Sequence, residues 1–178
     1  MLINTVYRLL LAFNSTYMVI VVFLIQQRYI ITRLNFLSIY FSYIIFLLTP
    51  IILTYLSFIV MKYLEDDKIK KDQIKEIELA NNSFLPSYLG YFFVALGIVD
   101  VDTLLIVFFI LFVFTFLSQT LYFNPIFLIF GYHFYFLKNV NDVKIFLISK
   151  KQLKKPNDVD FDQLKRINHY TFIDLEKN

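Results

Sequence analysis

Cysteine is absent from the 178 residues. That excludes disulfides and thiolate chemistry and removes the commonest zinc frameworks. Glycine occurs only three times, and no glycine-rich loop that could cradle a phosphate is present, nor an HExxH or a Gly-x-Ser-x-Gly pattern. Charge is missing from four long apolar stretches, none of which holds an Asp, Glu, Lys, Arg or His. Ionisable groups inside the bilayer are the usual mark of a transporter or proton path. Their absence, with no catalytic constellation elsewhere, argues against an ion-coupled transporter and against an enzyme, and no cofactor is expected.

What is present is apolar surface. The chain is 58% hydrophobic and 20% aromatic, with 22 phenylalanines, above the share of an ordinary soluble domain and gathered into runs. The expected fold is an integral membrane protein with four transmembrane α-helices, at about residues 9–25, 36–61, 84–99 and 103–121 of a 1–121 membrane domain. A charged connector at 62–83 and a small cytosolic β-rich (α+β) domain at 122–178 complete it. The first span ends in "FLIQQRYI", without the small-residue cleavage pattern of a signal peptide, so the helix is expected to be retained. The second contains Pro50, where a kink or tilt can absorb its excess length. A fifth span over 123–137 is disfavoured by Asn124, Pro125, Gly131 and His133, and by charge. With four spans and both termini inside, fifteen of the seventeen Lys and Arg fall on the inner side and only Arg28 and Arg33 outside, as the positive-inside rule requires.

Between the third and fourth spans lies "VDVD". Asp100 and Asp102 are expected to form a wet periplasmic tip, one of them capping the fourth helix; the sharper alternative is an acidic, cation-attracting rim. On the third span Ser87, Gly90 and Gly97 share one face, a candidate helix–helix contact within or between subunits. Asn14, Ser15 and Thr16 interrupt the first span. They are expected to hydrogen-bond neighbouring helices, or, in an oligomeric channel or transporter, to line a pore with Ser118 and Gln119.

The connector "KYLEDDKIKKDQIKEIE" places opposite charges four apart, Asp66 with Lys70 and Asp67 with Lys71, which predicts a solvated helix. Farther on, "YHFYFLK" and "VKIFLIS" flank the turn residues "NVND", predicting a β-hairpin in which Tyr132, Phe134 and Phe136 face one way and His133, Tyr135 and Leu137 the other. A short helix is expected from Asp158 or Asp160, and "HYTFIDL" as a third strand. His133 and His169, both expected in strands, have no further ligand at a metal-binding spacing. Lys70, Lys71, Lys150, Lys151, Lys154 and Lys155 form the expected contact surface for a soluble partner or for anionic membrane lipids. Interleaved Asp158, Asp160 and Asp162 argue against direct nucleic-acid binding.

Four spans, inside termini, the segment "NNSFLPSYLGYFFVALGIVD" and a compact β-rich tail together resemble the KwaA family, the membrane subunits of the Kiwa anti-phage defence system. The resemblance covers most of the chain. It implies a bacterial inner-membrane protein, a homo-oligomer and specifically a tetramer, that senses phage attack at the envelope and works with a cytosolic DNA-binding effector of the KwaB type. It rests on architecture, so no functional residue is carried over individually.

Overall fold

The computed structural model describes residues 2–32, 38–118 and 124–175; Arg33, Phe36, Gln119 and Leu121 of the expectations above lie outside them. Helices α1 (Leu2–Thr16) and α2 (Met18–Gln26) run on as one apolar rod of 24 residues, Ile3–Gln26. The break between them has a local cause. The Ser15 and Thr16 hydroxyls donate back to the Ala12 carbonyl at 3.2 and 2.9 Å, a bond that competes with the helix ladder and bends it. Helix α3 (Ile39–Val60) carries Pro50 inside it and continues through a 3-10 turn, Met61–Tyr63. At 1.5 Å per residue these two rods reach about 36 Å, enough for a hydrocarbon core of about 30 Å.

The next two helices are shorter. Helix α4 (Leu85–Gly97) and helix α5 (Val101–Leu117) have 13 and 17 residues, about 20 and 26 Å. Thus, among the described residues, two helices are long and apolar enough to cross a membrane, and two more are apolar but short. Helix α4 packs on α2 and α5 on α1, burying Ala95, Ile98 and Leu104 against Val19 and Phe23. The final carbonyls of α4 have no partner within their own helix. Gln26 and Gln27 from the end of α2 meet this region, their Nε2 groups donating to Leu96 and Val99 carbonyls at 3.0 and 3.3 Å.

The connector departs from expectation. It contains strands β1 (Glu65–Ile69) and β2 (Ile74–Leu79), joined by a 3-10 turn, Lys71–Gln73, and not a helix. The acids that would have paired along a helix pair across a sheet instead. Asp66 lies opposite Lys165 and Asp67 beside Arg166, with N–O distances of 2.7 and 2.6 Å. The expected boundary at residue 122 therefore does not separate two folding units, because 65–79 and 133–174 build one sheet. Its other strands are β3 (His133–Asn139), β4 (Lys144–Ser149), β5 (Phe161–Arg166) and β6 (Thr171–Asp174). A four-residue helix α6 (Ile126–Ile129) precedes β3, so the described residues 124–137 form no fifth span. Strand β5 replaces the helix expected from Asp158–Asp160, where only the 3-10 turn Pro156–Asp158 forms. Flanking β1 and β6 supply the hydrogen bonds that local propensity could not foresee.

Strand order is β1-β5-β6-β4-β3-β2, antiparallel except for the parallel β4–β6 pair. The two edge strands are consecutive in the chain, with only Lys70–Gln73 between them. Across a flat six-stranded sheet the edges would stand about 24 Å apart, whereas the five steps from Ile69 to Ile74 span at most about 18 Å. The sheet must roll. Ile69 and Ile74 enclose one cluster inside the roll with Tyr135, Leu137, Leu147, Phe161 and Leu164. The outer face carries Tyr132, Phe134, Phe146 and Ile148, which share a second cluster with Tyr7 and Leu11 of α1 and Met61 below α3. The β3–β4 hairpin and its alternation thus match expectation, and both faces are covered. In its turn, Asn139 Oδ1 accepts from the backbone of Asn141 and Val143 at 2.9 and 2.8 Å.

Candidate functional site at the helix–sheet junction

Helices and sheet share one core, and inside it sits a polar node. Thr54, one turn beyond Pro50 on α3, donates its hydroxyl proton to the Pro50 carbonyl at 2.8 Å. Its oxygen accepts from Asn14 Nδ2 of α1 at 2.6 Å and from Asn124 Nδ2 before α6 at 3.1 Å. One donor and two lone pairs are all a hydroxyl has, so Thr54 is saturated. Asn124 turns its Oδ1 to the Ile126 backbone N–H at 3.0 Å and so starts α6. The three side chains are at most 1% exposed. Among the described residues Asn14 Oδ1 has no hydrogen-bond partner, leaving an unused acceptor at the node.

One helical turn below, Phe58 continues the link. Its ring meets Phe127 and Phe130 edge-on, with centroids 5.1 Å apart in both cases, and stacks on Tyr132 at 5.0 Å. Such pairs add about 0.5–1.5 kcal/mol each beyond buried area. Asn4 at the start of α1 donates to the Arg166 carbonyl of β5 at 3.0 Å. These contacts tie α1 and α3 to the sheet. This is the property the arrangement offers, and it is mechanical.

The residues singled out from the sequence fall unevenly around this junction. Asp100 caps α5 as expected, accepting from the Thr103 backbone N–H at 2.8 Å and its hydroxyl at 2.9 Å. Those two bonds, the backbone one foremost, hold its carboxyl below the usual range. Asp102 stands exposed in the first turn of α5. Gly90 and Gly97 are exposed on α4, where an added Cβ would meet nothing within 4 Å, and Ser87 is half-buried. The glycine face is thus not a contact within the chain. Asn14, Ser15 and Thr16 are buried; Asn14 bonds the neighbouring helix α3 as expected, whereas Ser15 and Thr16 bond carbonyls of their own helix.

Among the lysines, Lys70 is already engaged. It bonds Asp162 and approaches Asp160 at 3.5 Å, fastening the β1–β2 turn to β5. The Asp162 bond, above all, raises its pKa. Lys150 lies 5.0 Å from the Tyr132 ring centre and Lys151 4.6 Å from that of Phe161. Lys71, Lys154 and Lys155 are exposed, and the backbone N–H groups of the last two donate to Asp158 Oδ2 at 2.9 Å. His133 Nδ1 meets Asn81 Nδ2 at 3.0 Å, whereas His169 is exposed in the bend before β6 and not in a strand. Thr54 and Asn124 were not singled out as a pair with Asn14. Two signals were readable: a threonine four residues after a proline inside an apolar run, and an asparagine before Pro125.

Comparison with curated proteins and with solved structures gives no match. A family model described as "Anti-phage protein KwaA" matches residues 7–173, which takes in α1 from Tyr7 onward, the node, both edge strands and all but the last residue of β6. With nearly its whole length matched, the chain belongs to the KwaA family of anti-phage proteins.

Proposed function

We propose that the chain is a membrane-embedded sensor and scaffold in a bacterial anti-phage complex. Four helices cross the inner membrane with both termini cytosolic, copies associate into a homo-oligomer of the tetrameric kind the resemblance implies, and the rolled sheet recruits a cytosolic DNA-binding effector. Membrane embedding is supported by the outward apolar faces of α3 and α5 and by the lysine and arginine asymmetry. Helices α4 and α5, shorter than the hydrocarbon core, cross by drawing flanking residues inward or thinning the bilayer. The single observation that carries the sensing part is the shared core with Thr54 at its node. A change in helix tilt or packing would select between two placements of the sheet, as population shift requires. An oligomeric pore has less support, since Asn14, Ser15 and Thr16 face the chain's own interior.

Deleting 122–178 would be a poor test, because it strips β1 and β2 of their partners. Charge reversal at Lys71, Lys154 and Lys155 leaves the sheet intact. The triple Glu variant should still sediment with membranes and elute as the wild-type oligomer, yet lose the co-purifying effector. Full retention of the effector would refute this surface as the docking site.

A further inference from the structure

Where α3 ends, a cleft of about 410 Å³ opens between that helix, the link from α6 to β3 and the residues just after β4 and β6. Its walls are Tyr55, Phe58, Phe130 and Tyr132, and Lys62 and Lys150 also line it. From Tyr55 to Lys62 is seven residues, about 10 Å along the helix, so one side runs from apolar to cationic over that length. Lys62 follows the last turn of α3, where helix carbonyls favour positive charge. Neither Lys62 nor Lys150 makes an ion pair among the described residues, in contrast to Lys70, Lys75, Lys138 and Lys165, which all have acid partners. The acid whose field reaches Tyr132 is Asp174; it is buried and accepts from Ser149 Oγ at 2.7 Å. An apolar slot with two unpaired ammonium groups at one end, set where a span meets the cytosolic side, matches the length and polarity of a phospholipid's upper half.

We propose that this cleft binds one anionic phospholipid, its phosphate held between Lys62 and Lys150 and its acyl chain laid along Tyr55, Phe58 and Phe130. The site rests on the membrane reading above, and it places a lipid against the same Phe58 and Tyr132 that join helices to sheet. Occupancy would then report the composition of the inner leaflet to the junction.

The full chain, purified in mild detergent, is offered phosphatidylglycerol, phosphatidylcholine or inorganic phosphate, and bound molecules are counted by native mass spectrometry. Wild type should retain one phosphatidylglycerol per chain. Lys62→Gln/Lys150→Gln should retain about tenfold less, while Lys68→Gln/Lys144→Gln, with the same change in net charge, should match wild type. Undiminished binding in the cleft variant, or equal loss in the control, would overturn the site. Equal binding of phosphatidylcholine would overturn the role of the lysines, and displacement by inorganic phosphate would make it a free-phosphate site. Release of the chain from membranes by alkaline carbonate would refute the membrane reading separately, whatever the lipid count.

Discussion

On α3 and α5 many large apolar side chains are exposed; in the sheet they are buried, inside the roll or against the helices. Tyr40, Tyr55, Phe109 and Phe114 are 70, 58, 65 and 65% exposed, whereas Phe134, Leu137, Leu147 and Ile148 are fully buried. Outer positions of the sheet region hold Lys, Asp and Glu, paired across strands or turns. The polar groups of the helical half are few and turned inward to one another, as at Thr54. Helices with so much exposed apolar surface need lipid or a protein partner, whereas the strands bury one apolar face inside the roll and part of the other against the helices. The two halves differ in their outer surfaces yet share a core at Phe134, Phe127 and Tyr7, as the proposed anchor and display surface require.

The sharpest way to break this contrast is to truncate one phenylalanine from each half. Phe134→Ala, in the shared core, should destabilise by about 3–5 kcal/mol. Phe109→Ala, facing outward on α5, should change stability in detergent by no more than about 0.5 kcal/mol. Denaturant unfolding in micelles measures both, and equal effects would erase the distinction. Next in size is the node. Thr54→Val leaves the Asn14 and Asn124 amides without their shared acceptor, for a loss of about 1–3 kcal/mol, while Thr54→Ser should recover most of it. A valine variant as stable as wild type would remove Thr54 as the coupling point.

A smaller effect belongs to the acids outside the spans. Asp100, Asp142, Asp158 and Asp162 all have depressed pKa values, held there first by hydrogen bonds from the Thr103 backbone, Lys138, the Lys154 backbone and Lys70 respectively. A carboxyl whose folded value is depressed stabilises fully above its unfolded value, near 3.8, and loses that contribution as pH falls through the folded one. Melting temperature should therefore hold steady from pH 7 to 5 and drop as pH falls below about 4. In Asp100→Ala that acid-side drop should be shallower, starting from a lower melting temperature at pH 7. An identical pH profile in the variant would count against the cap. The smallest effect is expected at the sheet edge, where Asp66 is 77% exposed beside Lys165. Asp66→Ala should cost about 0–1 kcal/mol, and less in high salt.

Much of this was legible where the information is local. The β3–β4 hairpin announces itself by alternation around "NVND", the α5 cap by Asp100 before an apolar run, and the two long helices by length and lack of charge. The connector was not legible, because Asp66 and Asp67 meet the helical four-residue rule with Lys70 and Lys71 as well as they meet Lys165 and Arg166. The cross-strand partners lie about a hundred positions away in the chain, and only the fold brings them within reach. Strand β5 was missed for the same reason. Of the node, Asn14 was visible as a polar interruption, but its partner is forty residues on and the third member seventy beyond that.

Because the chain has no cysteine, each introduced one is a unique probe of which solvent a residue meets. Single variants Asp102→Cys and Lys154→Cys, labelled with a membrane-impermeant maleimide in intact spheroplasts and in inverted vesicles, test the arrangement directly. Asp102→Cys should react only in spheroplasts and Lys154→Cys only in inverted vesicles. Labelling of both positions from the same side would contradict a chain whose helices cross the membrane and whose sheet faces the cytosol.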